Sequence, residues 1–148
     1  MDGGWPYLFR GTSVGWPGSK SLQKVRMTPA STDPFVATLF ALECNQHGEG
    51  VVYFAPWETF KDRVRKPNVL ARRECEVGLS MLPREFATET KGRVPALKSR
   101  EILVSMGFQV PKAIRDKGFL GTSINLSDRR LTLAELRYFW KAITGEEQ

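Results

Sequence analysis

Two glutamates, Glu74 and Glu76, are separated by a single residue in the segment "ARRECEVGL" (71–79). If this segment is a β-strand, alternate side chains point to opposite faces, so both carboxylates share one face while Val77 and Leu79 point into the core. Paired carboxylates can stabilise a positive charge that develops on a substrate, or take a proton from an attacking group. Two solvated glutamates on an edge strand give the same spacing, and for an isolated E-x-E this is the commoner origin. The pair is therefore a candidate site that needs support from elsewhere in the chain.

An arginine and two hydroxyl side chains near the ends of predicted elements provide that support. Arg10 comes late in "PYLFRGT" (6–12), an apolar and aromatic run that predicts a strand leading into a loop. Ser31 and Thr32 lie at the start of the segment with the clearest helix signal in the sequence. The planar guanidinium of arginine suits phosphate oxygens, and a serine hydroxyl can orient a neighbouring carboxylate. A surface ion pair for Arg10 and a helix cap for Ser31 are the structural alternatives.

The helix signal covers "ASTDPFVATLFALECNQHG" (30–48). Asp33 can cap its N-terminus, Pro34 suits the first helical position, and Gly48 can adopt the left-handed conformation that ends a helix. The apolar residues form a broad face, which predicts a well-buried helix. His47 is the only histidine and lies in the last turn, where a favourable interaction with the helix dipole explains it without a catalytic role.

The remaining segments predict alternating strands and helices. "GVVYFAP" (50–56) is rich in β-branched and aromatic residues, which predicts a buried strand. "WETFKDRVRK" (57–66) predicts a short helix or an ordered loop. A capping-box pattern at Thr132 and Glu135 starts the last predicted helix. The helices predicted in the last third are "ALKSREILVSMGF" (96–108, ending at Gly107), "PKAIRDKG" (111–118) and "TLAELRYFWKAITG" (132–145).

Length and composition indicate one compact globular domain, residues 1–148. The 148 residues are 41% hydrophobic and 11% aromatic, which is enough apolar material for a core. The net charge of +6 is uneven, because residues 1–90 hold 11 Lys and Arg against 10 Asp and Glu, while residues 91–148 hold 11 against 6. A basic last third favours an acidic partner such as RNA or DNA, although a solvated basic face accounts for it equally well.

Several other classes of protein are disfavoured. Two cysteines without C-x-x-C spacing argue against a disulfide scaffold, a zinc site or a redox motif, so we expect no metal. The N-terminus "MDGGWPYLFRG" lacks the pattern of a signal or transit peptide, and no segment has the apolar length needed to cross a bilayer. We therefore expect a cytoplasmic site of action and no membrane partner.

The polar residues occur in an order that resembles a known family. Arg10 in "LFRGTS", Ser31 and Thr32 in "ASTDPFVATLFA", and Glu74 and Glu76 in "RECEVGL" resemble the R-S-E signature of the mono-ADP-ribosyltransferases. The helix "VATLFA" after the Ser-Thr element is similar to the family's usual sequence there. The resemblance implies an α+β fold, a split β-sandwich of two small twisted sheets flanked by helices, with NAD held in the cleft between the sheets. It covers residues 1–90 as an NAD-binding core and leaves residues 91–148 as a basic, mainly helical C-terminal extension.

The resemblance also implies a role for each matched residue. Glu76 is the catalytic carboxylate that meets the nicotinamide ribose, and Ser31 orients it. Glu74 is the second acid, which meets the acceptor. The NAD-binding residues that it implies are Arg10 with Gly11 and Thr12 at the pyrophosphate, Ser31 with Thr32, and Phe60 with Arg63 in the "FKDR" segment.

At two of the matched positions the residue has another structural explanation. A core position on an amphipathic helix is the alternative for Phe60, and residue patterning favours it. The family's third hydroxyl residue is replaced by Asp33, for which helix capping is a sufficient reason.

The expected activity is transfer of ADP-ribose from NAD to a macromolecular acceptor, with RNA favoured by the basic last third. Transfer to a protein side chain such as arginine, hydrolysis of NAD, and nucleic-acid binding without catalysis are the alternatives. The resemblance further implies a small toxin used against phage or competing bacteria. A cell that makes such a toxin needs a neutralising antitoxin or immunity protein.

Overall fold

The computed structural model describes residues 6–12, 26–42, 50–65, 76–112 and 130–146. They form an α+β fold with one antiparallel sheet and helices on both of its faces. The strands are β1 (Tyr7–Thr12), β2 (Thr28–Ser31), β3 (Val51–Pro56), β4 (Val64–Arg65), β5 (Glu76–Leu79) and β6 (Gly92–Pro95). The helices are α1 (Pro34–Leu42), α2 (Trp57–Phe60), α3 (Pro83–Glu89), α4 (Ala96–Ser105) and α5 (Leu133–Thr144), with a 3-10 turn at Lys61–Arg63.

The sheet has two halves that are joined at one point. Its strand order is β4-β5-β2-β1-β3-β6. Strand β1 pairs with β3 along its whole length, and β2 does so with β5, but β1 and β2 are paired only where Phe9 faces Ser31. The sequence resemblance implied two small sheets. The described strands form one sheet that is nearly divided between β1 and β2.

Strand β1 is buried on both faces. Neighbouring residues of a strand point to opposite sides, yet Leu8 and Phe9 are both fully buried. Phe9 points toward the cluster that includes Phe139 and Trp140 of α5, and Leu8 points toward the cluster around Phe60 and Phe86. Burial on both sides explains why the sequence of β1 reads as a continuous apolar run rather than an alternating one.

Helix α1 begins as the sequence predicts. The Asp33 carboxylate accepts a hydrogen bond from the backbone N–H of Phe35 at 2.8 Å, and Pro34 is the first helical residue. All residues of α1 except Phe40 are buried, which confirms the predicted burial. The end of the predicted helix, including His47 and Gly48, lies outside the described residues.

The C-terminal part follows its local signals. Thr132 and Glu135 form the predicted capping box at the start of α5, with N–H to oxygen distances of 3.1 and 2.9 Å. Helix α4 ends at Ser105 with Met106 as its C-cap, and the next residue, the predicted stop Gly107, has a φ of 98° in the left-handed region. Most of the segment predicted as a helix at 111–118 lies outside the described residues. No helix in the described ranges is long and apolar enough to cross a membrane.

The close approach of β1 and α1 generates a test of the fold. A Cβ at Gly11 would overlap the backbone carbonyl oxygen of Ala37, which cannot move without shifting α1. We expect Gly11→Ala to lower the free energy of unfolding by about 3 kcal/mol, the upper part of the usual range for overpacking. Denaturant unfolding would measure it. Gly92→Ala is the matched control, because its Cβ would meet the ring of Phe54 at 3.0 Å and a side chain can adjust. Equal losses of unfolding free energy in the two variants would show that the contact between Gly11 and Ala37 is not the cause.

Candidate functional site

The sheet register brings Ser31 and Glu76 together. Ser31 on β2 lies directly opposite Glu76 on β5. Opposed residues of antiparallel strands point to the same face, with Cα atoms about 4.5 to 5.5 Å apart. Ser31 is buried, whereas Glu76 is half-buried at the first described position of β5. The two residues are therefore neighbours, as a hydroxyl that orients a carboxylate requires.

The hydroxyl of Ser31 also organises the turn before α1. Its Oγ accepts a hydrogen bond from the backbone N–H of Asp33 at 3.0 Å. The helix cap itself is Asp33, so Ser31 does not have the capping role that was its structural alternative. A hydroxyl that accepts one hydrogen bond still has its own proton to donate. Ser31 can therefore hold the turn and interact with a carboxylate at the same time.

The second glutamate of the E-x-E segment lies outside the described residues. Glu74 and its place beside Glu76 therefore stay a prediction. The part of the segment that is described behaves as expected, because Val77 and Leu79 are buried in the core while Glu76 faces the other way.

Arg10 is a buried cation without an acidic partner among the described residues. Its side chain is 7% exposed, and its Nη1 donates to the backbone carbonyl of Pro29 at 2.8 Å. Burial lowers the pKa of Arg10 to about 10, with Tyr53 acting in the opposite direction, so the guanidinium is charged at neutral pH. The surface ion pair considered from sequence does not apply. Buried charges are normally paired with opposite charges, and within the described residues no carboxylate lies against this guanidinium.

Arg10 approaches the Ser31–Glu76 pair without sharing its face. Phe9 is in register with Ser31, so the next residue, Arg10, leaves β1 on the opposite side. Its guanidinium nevertheless reaches β2 at Pro29, two residues or roughly 7 Å along the strand from Ser31. That point lies where β1 and β2 are not paired. The structure thus joins Ser31 with Glu76 and places Arg10 at the adjacent stretch in which β1 and β2 are not paired.

The other residues assigned around Arg10 and Ser31 are buried. Gly11 packs its backbone against α1, which gives its missing side chain a structural reason. Thr12 is 8% exposed, and its Oγ1 has no hydrogen-bond partner among the described residues. Thr32 is also buried, immediately after Ser31.

The "FKDR" segment splits into a core residue and a surface turn. Phe60 is 1% exposed and stacks on Phe86 with ring centroids 4.8 Å apart, which matches the core alternative. Arg63 is half-buried in the 3-10 turn, and its backbone carbonyl accepts a hydrogen bond from Ser80 at 2.8 Å. In this structure Phe60 fills the core rather than facing a ligand, so we leave it out of the proposed site.

Asp33 makes a long-range link that sequence analysis missed. Its carboxylate accepts hydrogen bonds from the backbone N–H groups of Phe35 and Leu131, and Arg130 adds a favourable charge. Burial nevertheless dominates and raises the pKa of Asp33 to about 6. Asp33 thereby ties the start of α1 to the segment that leads into α5. No local pattern signals a contact between residues so far apart in the chain.

Comparison with known proteins leaves the family open. No protein-family model, no curated protein and no solved structure matches the chain. Within the described ranges, no group of three or more His, Cys, Asp or Glu side chains is arranged to hold a metal ion. The features of the described residues that bear on function are the pairing of Ser31 with Glu76 and the buried guanidinium of Arg10.

The buried carboxylate of Asp33 predicts how stability depends on pH. Its pKa is higher in the folded protein, at about 6, than the ordinary value of 3.8, so its contribution is complete below pH 3.8 and is lost as the pH rises to about 6. The loss amounts to roughly 3 kcal/mol, at about 1.4 kcal/mol per pKa unit. We expect Asp33→Asn to lack this loss.

Denaturant unfolding of both proteins at pH 4, 5, 6 and 7.5 would test it. The free energy of unfolding of the wild type should fall relative to that of Asp33→Asn across this range. Parallel pH curves for the two proteins would show that Asp33 does not titrate in this way.

Proposed function

We propose that this chain is a mono-ADP-ribosyltransferase that moves ADP-ribose from NAD to a macromolecular acceptor. The observation that carries the proposal is the pairing of Ser31 with Glu76 beside the buried guanidinium of Arg10. The nearly divided sheet supports the finer fold, a split β-sandwich with NAD in the cleft between its halves.

Glu76 supplies the electrostatic part of the reaction. The bond between C1′ of the ribose and the nicotinamide nitrogen breaks, its electron pair leaves with nicotinamide, and positive charge develops on the ribose. A carboxylate placed beside that charge lowers the barrier, as in glycoside hydrolysis. Glu76 accepts a hydrogen bond from the ribose 2′-OH, and the Ser31 hydroxyl fixes the direction of the carboxylate.

Arg10 holds the pyrophosphate. A guanidinium with five N–H donors has only the carbonyl of Pro29 as an acceptor among the described residues. Phosphate oxygens would provide both the missing negative charge and further acceptors, and a planar fork binds them in two places at once. NAD then places its nicotinamide ribose at Ser31 and Glu76 and its pyrophosphate at Arg10, beside the unpaired stretch of β1 and β2.

The acceptor completes the reaction. Its nucleophile forms a bond to C1′ and gives up a proton, which Glu74 takes or directs. RNA is the favoured acceptor because the last third of the chain is basic. A protein side chain and water are the competing acceptors. An enzyme of this kind acts in the cytoplasm as a toxin, and the cell that makes it needs an antitoxin or immunity protein.

A labelling experiment separates these possibilities. Purified protein is incubated with NAD labelled in its adenylate part and with whole-cell lysate, and the product is treated with RNase or protease. Label that RNase removes supports transfer to RNA, and label that protease removes supports transfer to protein. Free ADP-ribose alone supports hydrolysis. No consumption of NAD contradicts the proposal and favours a nucleic-acid-binding module.

Glu76 is the residue whose loss tests the chemistry. We expect Glu76→Gln to lower kcat for nicotinamide release by at least about 100-fold, the scale on which one preorganised electrostatic group acts. The melting temperature should change little, because Glu76 is only half-buried. Glu101→Gln on the exposed side of α4 is the control and should keep wild-type rates. Equal rates for wild type and Glu76→Gln would remove Glu76 from the mechanism.

Arg10 is tested by a change that keeps its charge. Lysine carries a single ammonium group rather than a fork, so Arg10→Lys should raise KM for NAD about tenfold and affect kcat less. Circular dichroism and thermal unfolding establish that this buried variant is folded. A folded Arg10→Lys protein with an unchanged KM would contradict the pyrophosphate assignment.

A further inference from the structure

The face of the sheet that carries Arg10 holds polar residues with no part in the proposed chemical step. Arg10 on β1 lies opposite Tyr53 on β3, and Tyr53 lies opposite Arg93 on the edge strand β6. Opposed side chains point the same way, with Cβ atoms about 5 Å apart. The three residues therefore form a row about 10 Å long across three strands. We refer to Arg10, Tyr53 and Arg93 as the cross-strand row.

The row carries two positive charges and no carboxylate. Arg93 is exposed and forms no ion pair among the described residues. Arg10 is buried and bonds only to a backbone carbonyl in the described part of the chain. Arg10 and Arg93 lie about 10 Å apart in the row, and an anionic ligand placed between them would interact favourably with both charges.

Tyr53 gives the row a planar surface. Its ring is half-buried and packs edge-on against Phe86, with centroids 6.4 Å apart and planes at 84°. That contact restrains the ring between the two arginines. Aromatic rings and guanidinium groups both stack on nucleobases. Tyr53 and Arg93 together thus offer two planar groups on which a nucleobase can stack.

A buried hydroxyl on the same face points independently to a ligand. Thr12 lies two residues after Arg10 on β1, so its side chain shares the face of the row. It is 8% exposed, and its Oγ1 is buried without a hydrogen-bond partner among the described residues. Unsatisfied buried polar groups are unfavourable, and a ligand oxygen would satisfy this one.

We infer that the cross-strand row and Thr12 bind the adenosine diphosphate half of NAD. Arg10 and Thr12 hold phosphate oxygens, while Tyr53 and Arg93 hold the adenine ring. The identity of the ligand as NAD rests on the proposed function. The unpaired stretch between β1 and β2, into which Arg10 reaches, then lies between the adenosine end and the Ser31–Glu76 pair.

Binding of ADP and of inorganic pyrophosphate by calorimetry separates base recognition from phosphate recognition. The variants are Tyr53→Leu, Tyr53→Phe and Arg93→Gln. Arg93 lies on an exposed edge, so its variant should fold normally. Arg137→Gln is the matched control, because Arg137 is an exposed arginine on α5, and α5 packs against the other face through Phe139 and Trp140.

We expect Tyr53→Leu and Arg93→Gln to raise the Kd of ADP about tenfold, the usual scale for loss of a stacking partner. Tyr53→Phe keeps the ring and should bind ADP like the wild type, as should Arg137→Gln. Tyr53→Leu should leave the Kd of pyrophosphate unchanged. The inference is overturned if the wild type binds no ADP, if both variants bind it normally, or if Tyr53→Leu weakens ADP and pyrophosphate by the same factor.

Turnover measurements keep this inference apart from the proposed function. If NAD is not consumed although ADP binding depends on Tyr53 and Arg93, the nucleotide site stands and the transferase proposal fails. If Tyr53→Leu and Arg93→Gln consume NAD with the wild-type KM, the transferase stands and the adenosine site is wrong.

Discussion

The pairing of Phe9 with Ser31 is the point on which the arrangement of the molecule depends. It is the one described position at which β1 and β2 pair as strands, and the side-chain hydrogen bond from Arg10 to Pro29 is a second connection between them. Strand β5 is held to β2 along its length, so the place of Glu76 relative to β1 is set through this junction. Helix α1 starts three residues after Ser31 and packs back on β1, where Gly11 permits the contact. The relative positions of Glu76, Ser31 and Arg10, from three strands, thus depend on this pairing together with the hydrogen bond from Arg10 to Pro29.

Two buried charges near this junction are stabilised in different ways. Asp33 receives two backbone hydrogen bonds and a nearby arginine from within the chain, so its role is complete without a ligand. Arg10 donates one hydrogen bond, to the backbone carbonyl of Pro29, and has no carboxylate partner among the described residues. The first charge links α1 to the segment before α5. The second has charge and donors left over within the described residues, and the proposed function assigns them to a phosphate.

Local chemistry made parts of this structure predictable from sequence. The cap at Asp33, the capping box at Thr132 and Glu135, and the left-handed Gly107 just after α4 each depend on residues only a few positions apart. The strands at Tyr7–Thr12 and Val51–Pro56 follow from runs of apolar, aromatic and β-branched residues. Each of these signals acts within one helix or strand, so tertiary contacts do not override it.

Long-range relations were not predictable in the same way. The burial of Arg10, the link from Asp33 to Leu131 and the alignment of Tyr53 with Arg93 depend on which strands and helices become neighbours. The resemblance assigned Ser31 and Glu76 to one site, and what brings the two residues next to each other is the pairing of β2 with β5. It also assigned Phe60 to NAD, whereas packing against Phe86 places that ring in the core.

Nicotinamide release from NAD by four proteins tests the central claim most directly: wild type, Ser31→Ala, Glu76→Gln and the double variant. Residues that act as one unit are not additive in their effects on rate. If Ser31 acts through Glu76, the double variant should be about as slow as Glu76→Gln alone. No release by the wild type, or losses from the two changes that simply multiply, would contradict the account.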